Sequence, residues 1–78
     1  MAFKELIETI AEALVDDPDG VEVTEIDRDK ASVLELRVSE GDIGKVIGKD
    51  GRTAQSIRAI LAAASAKIGR RAHLDIVD

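Results

Sequence analysis

Apolar residues recur at helical spacing at the start of the chain, where Phe3, Leu6, Ile7, Ile10 and Leu14 fall on one side of a 3.6-residue period. They predict an amphipathic helix from about Ala2 to Val15, stopped by the turn sequence Asp16-Asp17-Pro18-Asp19-Gly20. The period then drops to two. Val21 and Val23 alternate with polar residues, and after Asp27-Arg28-Asp29-Lys30 so do Leu34, Leu36 and Val38, which predicts two strands joined as a hairpin. Ile26 has the wrong parity for the first strand, so a bulge or an early strand end is expected there. A short helix over Asp42 to Ile47 leads into a glycine turn. From about Thr53 a longer helix follows, with Ile57, Ile60, Leu61, Ala64 and Ile68 on one face and Gly69 as its stop. Ala72, Leu74 and Ile76 finally alternate with His73, Asp75 and Val77 in a third strand.

The order α-β-β-α-α-β predicts an α/β (α+β) fold over a single domain, residues 1–78, with a three-stranded mixed sheet and helices on one face. The last strand is expected parallel to the second, because the two intervening helices supply the long crossover that parallel pairing needs. A chain of 78 residues is near the lower size at which one core holds a fold unaided, so self-association is a natural supplement. There is no cysteine, which excludes disulfides and thiolate metal sites and favours the cytoplasm. The amino terminus has no basic segment followed by an apolar core, and the longest apolar run, Ala59 to Ala64, is too short to span a bilayer. A soluble, unprocessed protein with no membrane association is expected.

Net charge is −5, which on its face argues against a nucleic-acid partner. Its distribution reverses the argument. Residues 1–39 carry four basic and eleven acidic groups, whereas between Ile43 and Leu74 seven Lys/Arg stand against Asp50 alone. Phosphate contacts respond to the local field, which decays over a Debye length of roughly 10 Å at moderate salt.

The basic segment contains Val46-Ile47-Gly48-Lys49-Asp50-Gly51-Arg52-Thr53, a Gly-x-x-Gly turn between two apolar-patterned helices. Glycines at Gly48 and Gly51 permit positive φ and close approach of a phosphodiester to the main chain. Lys45, Lys49 and Arg52 place cations around the turn, and the helix that starts near Arg52 adds N–H groups and a positive dipole end. The turn is not an NTPase phosphate loop: Gly44 precedes Gly48-Lys49 by three residues instead of the required spacing, Asp50 replaces the hydroxyl residue, and a helix precedes it where a strand is needed. Nor does a Gly-x-Gly-x-x-Gly dinucleotide fingerprint follow any strand. Asp16, Asp17 and Asp19 lack the spacing of a calcium loop and are explained as a turn.

In this context the turn resembles that of the KH domain, a module that clamps the backbone of about four nucleotides of single-stranded RNA or DNA. Ile43, Val46 and Ile47 precede the loop and Ile57 follows it, and the hairpin before the helix-loop-helix resembles the bacterial, type II topology. The likeness covers essentially the whole chain and is to the KhpA family of small single-KH bacterial proteins. Gly48, Lys49, Asp50 and Gly51 match that family's loop, Ile47 and Ile57 its flanking aliphatic positions, and Arg52 and Thr53 the start of its second core helix. The resemblance implies single-stranded RNA as partner, homodimerisation, pairing with a larger KhpB-like KH protein, and a role in post-transcriptional regulation or as an RNA chaperone. Asp50 is the discordant residue: a carboxylate in the clamp lowers affinity for phosphate unless it turns away to cap the following helix.

Phe3 is the only aromatic residue and belongs to the core face of the first helix, so stacking platforms of the RRM or OB type are missing. Ile43, Val46, Ile47 and Leu74 are the candidates for holding bases, with Arg70 and Arg71 as an opposite wall. His73 stands alone on the polar side of its strand, without a second ligand or nucleophile, so neither metal catalysis nor a hydrolytic triad is assembled and no enzyme or cofactor is expected. Opposite the apolar face of the long helix lie Gln55, Ala59, Ala62, Ala63 and Ala66, uncharged, which fits either packing beneath the first helix or contact with a second copy. The competing functional reading is a protein-interaction or dimerisation module with a KH fold and weak or no RNA binding.

Overall fold

A computed structural model describes residues 3–77. Helix α1 spans Phe3–Leu14, strands β1 and β2 span Glu22–Arg28 and Ala31–Arg37, helices α2 and α3 span Ile43–Ile47 and Arg52–Ile68, and strand β3 spans Arg71–Ile76. Short 3-10 turns at Pro18–Gly20, Glu40–Asp42 and Lys49–Gly51 fill three of the connections. The expected start of α1 at Ala2 lies outside the described residues.

The sheet order is β1-β2-β3, with β1 and β2 antiparallel and β2 and β3 parallel. This is the α+β fold of KH topology that the element order implied. Val23, Leu34, Leu36 and Leu74 project from one sheet face into a core completed by Phe3, Ile7, Ala11 and Val15 of α1 and its end, Val46 of α2, and Ile57 and Leu61 of α3. Among the described residues no helix covers the other face. Ile26 does not produce a bulge: Glu22 to Arg28 pair without interruption with Arg37 to Ala31. Its odd parity places it on the uncovered face, opposite Val33, where half-burial satisfies an isoleucine without disturbing the ladder.

Both helical faces are rotated from the expected ones. On α1 the buried residues are Phe3, Ile7 and Ala11, and Leu14 is exposed. On α3 they are Ala54, Ile57, Leu61 and Ser65, whereas Ile60 and Ile68 remain 48% and 62% exposed. Alanine and serine share the core stripe with Ile57 and Leu61, and Ile60 and Ile68 border it. Ala59, Ala62, Ala63 and Ala66 are also exposed, so this side of α3 does not pack beneath α1. α3 ends as expected at Gly69, whose φ of 68° lets its N–H reach the Ala66 carbonyl while Arg70 N–H reaches Ser65.

Candidate nucleic-acid interface

The Gly48–Gly51 turn is built by backbone conformations that side chains resist. Gly48 sits at φ 76°, ψ 172°, a region open essentially to glycine alone, and a Cβ there would come within 2.7 Å of the Thr53 Cβ. Gly51 is left-handed at φ 75°, ψ 12°. The Gly48 N–H donates to the Gly44 carbonyl at 2.8 Å and Gly51 N–H to the Gly48 carbonyl at 3.1 Å, which closes α2 and tightens the turn. Asp50 is also left-handed, at φ 57°, ψ 24°, and makes no capping bond to α3. Of the two alternatives for Asp50, capping of this helix is not the one observed. Among the described residues no side chain caps α3; the Arg52 N–H is taken by the Lys49 carbonyl, and the N–H groups that follow it in the first turn have no side-chain acceptor.

Lys49 and Arg52 are exposed on the turn, and among the described residues neither has a carboxylate within ion-pair distance. Lys45 is placed differently. Its ammonium lies 3.3 Å from Asp16 and 3.4 Å from Asp42, tying α2 to the segment after α1. Asp42 is buried and also accepts the N–H groups of Asp17 at 3.0 Å and Asp16 at 3.3 Å. Burial pushes its carboxyl up, but these two backbone bonds and the Lys45 ammonium outweigh it and hold Asp42 below the usual carboxylate value. Hydrogen bonds from its side chain to Asp16 and Asp42 raise Lys45 above the usual lysine value.

The aliphatic candidates divide in the same way. Ile47 is 37% exposed beside the turn and Ile43 is half-buried, whereas Val46 and Leu74 belong to the core and present no surface to a base. A residue not singled out from the sequence ties α3 to β3. Arg58, two turns into α3, reaches over to β3 and donates from Nη2 and Nε to the Leu74 carbonyl at 3.2 and 3.4 Å. It lines a cleft of about 380 Å³ between α3 and the open edge of β3, with Ala72, His73 and Asp75. In sequence Arg58 is simply the one cation of α3 between Arg52 and Lys67; its relation to β3 depends on how α3 is rotated on the sheet.

Arg70 and Arg71 do not face this loop. They follow α3, whose 17 residues at about 1.5 Å each put its two ends roughly 25 Å apart. Arg70 is committed to the hairpin: its guanidinium donates to the Ser32 hydroxyl, the carbonyls of Asp29 and Ala31, and the Asp27 carboxylate at 3.1 Å. Arg71 emerges on the uncovered sheet face.

The family model described as the KH domain of KhpA and KhpB matches residues 4–76. This chain belongs to the KhpA/KhpB KH family. Proteins named RNA-binding protein KhpA from Aquifex aeolicus and Halalkalibacterium halodurans are 49% and 52% identical to it, over 99% and 97% of this chain and 98% and 100% of theirs. That of Caldanaerobacter subterraneus is 51% identical over 94% of this chain and 97% of its own. A solved structure of an Aquifex aeolicus Era variant bound to GDP and AlF4− superposes with a TM-score of 0.62 at 21% identity, over 94% of this chain and 28% of that one, a likeness of fold. The KhpA/KhpB KH family is not enzymatic. Among the described residues no helix is long and apolar enough to cross a membrane.

Proposed function

We propose that this KhpA-family chain binds single-stranded RNA by its sugar-phosphate backbone, as a cytoplasmic post-transcriptional regulator or RNA chaperone with a type II KH clamp. The observation that carries the reading is the Gly48–Gly51 turn, where Lys49 and Arg52, without an ion-pair partner among the described residues, flank glycine-dependent backbone and a helix start with no side-chain cap. The relatives' shared name, RNA-binding protein KhpA, supports it. Phosphates lie on the turn, one or two bases rest against Ile47 and Ile43, and Arg58 lines the cleft toward β3. Lys45 acts as a strut that holds α2 in place. Replacing Lys49 with Asp reverses the charge while keeping both glycines. Affinity for a short single-stranded RNA should then fall at least about tenfold, with stability changed by about 0.5 kcal/mol or less, as for other exposed substitutions. Unchanged affinity in a fluorescence anisotropy titration would remove this loop from the interface.

A second activity is supported by the exposed side of α3. Ile60, Ala63, Ala64 and Ile68 form, with Phe3 and Leu6, an apolar groove of about 450 Å³ on a chain too small to bury much surface alone. We assign this side to contact with a second copy, small alanines allowing close approach of two helices. A KhpB-like KH protein fits the same surface as an alternative partner.

A further inference from the structure

The uncovered face of the sheet is not uniform. Register aligns Arg28, Ala31 and Arg71 in one row across the three strands, and Ile26, Val33 and His73 in the next. With strands about 4.8 Å apart, the two arginines stand roughly 10 Å apart at their Cα atoms, over an alanine too small to separate them. Together with Lys30 and Asp29 they line a pocket of about 520 Å³ at the hairpin end. Three cations against one carboxylate make it a positive site on an acidic chain, and among the described residues no carboxylate lies within ion-pair distance of Arg28, Lys30 or Arg71. The neighbouring row is an apolar floor, half-buried Ile26 and Val33, ending in the exposed imidazole of His73. Beyond it Glu35 and Asp75 turn the face negative.

From this juxtaposition we propose that the uncovered sheet face is a second contact for single-stranded RNA. Two phosphates pair with Arg28 and Arg71, and a base lies on Val33 and stacks on His73. The carboxylates of Glu35 and Asp75 repel phosphate from the far end, which fixes the backbone at the hairpin side. The two contacts lie on one path. β3 is an edge strand, and an RNA leaving the cleft at Arg58 and Leu74 crosses that open edge to His73, the next residue on the other face. The proposal rests on the RNA-binding reading above and extends it to strands longer than the loop alone holds.

The test compares RNAs of about four and about twelve nucleotides, one that a KH clamp accommodates whole and one that extends well beyond it, on the full chain and on the double variant Arg28→Glu/Arg71→Glu. The variant should bind the short RNA as the parent does and the long RNA on the order of tenfold more weakly, with the magnitude of the long-RNA log–log salt slope reduced by about 1.4, that of two phosphates on a single strand. The His73 ring resonances of the unmodified chain should shift with the long RNA and not with the short one, a readout independent of variant folding. Equal losses for both RNAs, or no loss with either, overturn the proposal. So does displacement of no RNA by a poly-glutamate peptide that itself shifts His73, which would make this face a dock for acidic protein segments. Should Lys49→Asp leave both RNAs bound while the double variant releases the long one, the sheet face stands and the loop reading fails.

Discussion

A carboxylate inside a turn proposed to face phosphate needs a reason, and the backbone at Asp50 supplies one. The residue is left-handed, a conformation that Asp and Asn tolerate better than other side chains with a Cβ. Since it makes no cap, its charge has no structural partner in α3. Asp50→Asn keeps the backbone preference and removes the charge, so single-stranded RNA should bind more tightly, by about threefold, with the melting temperature unchanged. One like charge near a phosphate at an effective dielectric near that of a protein surface repels by a fraction of a kcal/mol to about 1 kcal/mol after screening, which sets that scale. An equal or weaker affinity in titration calorimetry would mean that the carboxylate points away from the bound strand.

The elements α1 and α2 are joined by Asp42, and the joint has a pH signature. Asp42 is depressed in the folded chain, so its contribution to stability is complete above the unfolded aspartate value of about 3.9 and is lost as pH falls through the lower folded value. Lys45 has the opposite sign: raised when folded, it contributes fully below the unfolded lysine value of about 10.4 and loses that contribution only as pH rises through the higher folded one. Asp42→Asn should therefore melt below the parent at pH 7, and the difference should shrink as pH falls below the unfolded aspartate value, as read by circular dichroism. A constant difference across this range would assign the loss to packing instead of charge. Element order, the parallel pairing of β3 and the Gly48–Gly51 turn were legible in the sequence, because periodicity and glycine placement are local signals. The rotations of α1 and α3 were not. Ile60 and Leu61 flank the same apolar arc at about 100° from each other, and only the rotation of α3 about its axis against the sheet decides which is buried. The partners of Lys45 and Arg70 were hidden for the same reason: each ion pair joins segments far apart in sequence, Lys45 to Asp16 and Arg70 to Asp27.

At the scale of the whole molecule, an 8.3 kDa chain leaves an apolar helix side and a basic loop on one small body. If α3 joins two copies, Ile60→Lys and Ala63→Arg should give folded monomers by light scattering. RNA carrying two sites should then bind on the order of a hundredfold more weakly, through lost bivalency, while short single-site RNA is unaffected. Dimers that persist would place the self-contact elsewhere. The net charge of −5 misled as a guide to partners because it averages over the body. Strand register separates the charges: arginines Arg28 and Arg71 gather at one end of the open sheet face, and Glu35 and Asp75 lie toward the other.

The parallel pairing of β2 and β3 also has a kinetic side. β1 and β2 are joined by two residues and can pair locally, whereas β3 docks only after the whole of residues 38–70 has been gathered into a crossover, a far costlier loop to close. The turn at Gly48–Gly51 lies within that crossover. During synthesis it leaves the ribosome before β3, the strand against which α3 packs, so a half-made chain carries the turn before the sheet is complete. The cleft between α3 and β3 thus forms only after Leu74 has emerged, so on the proposed reading any RNA contact that uses it belongs to the finished chain and not to the nascent one.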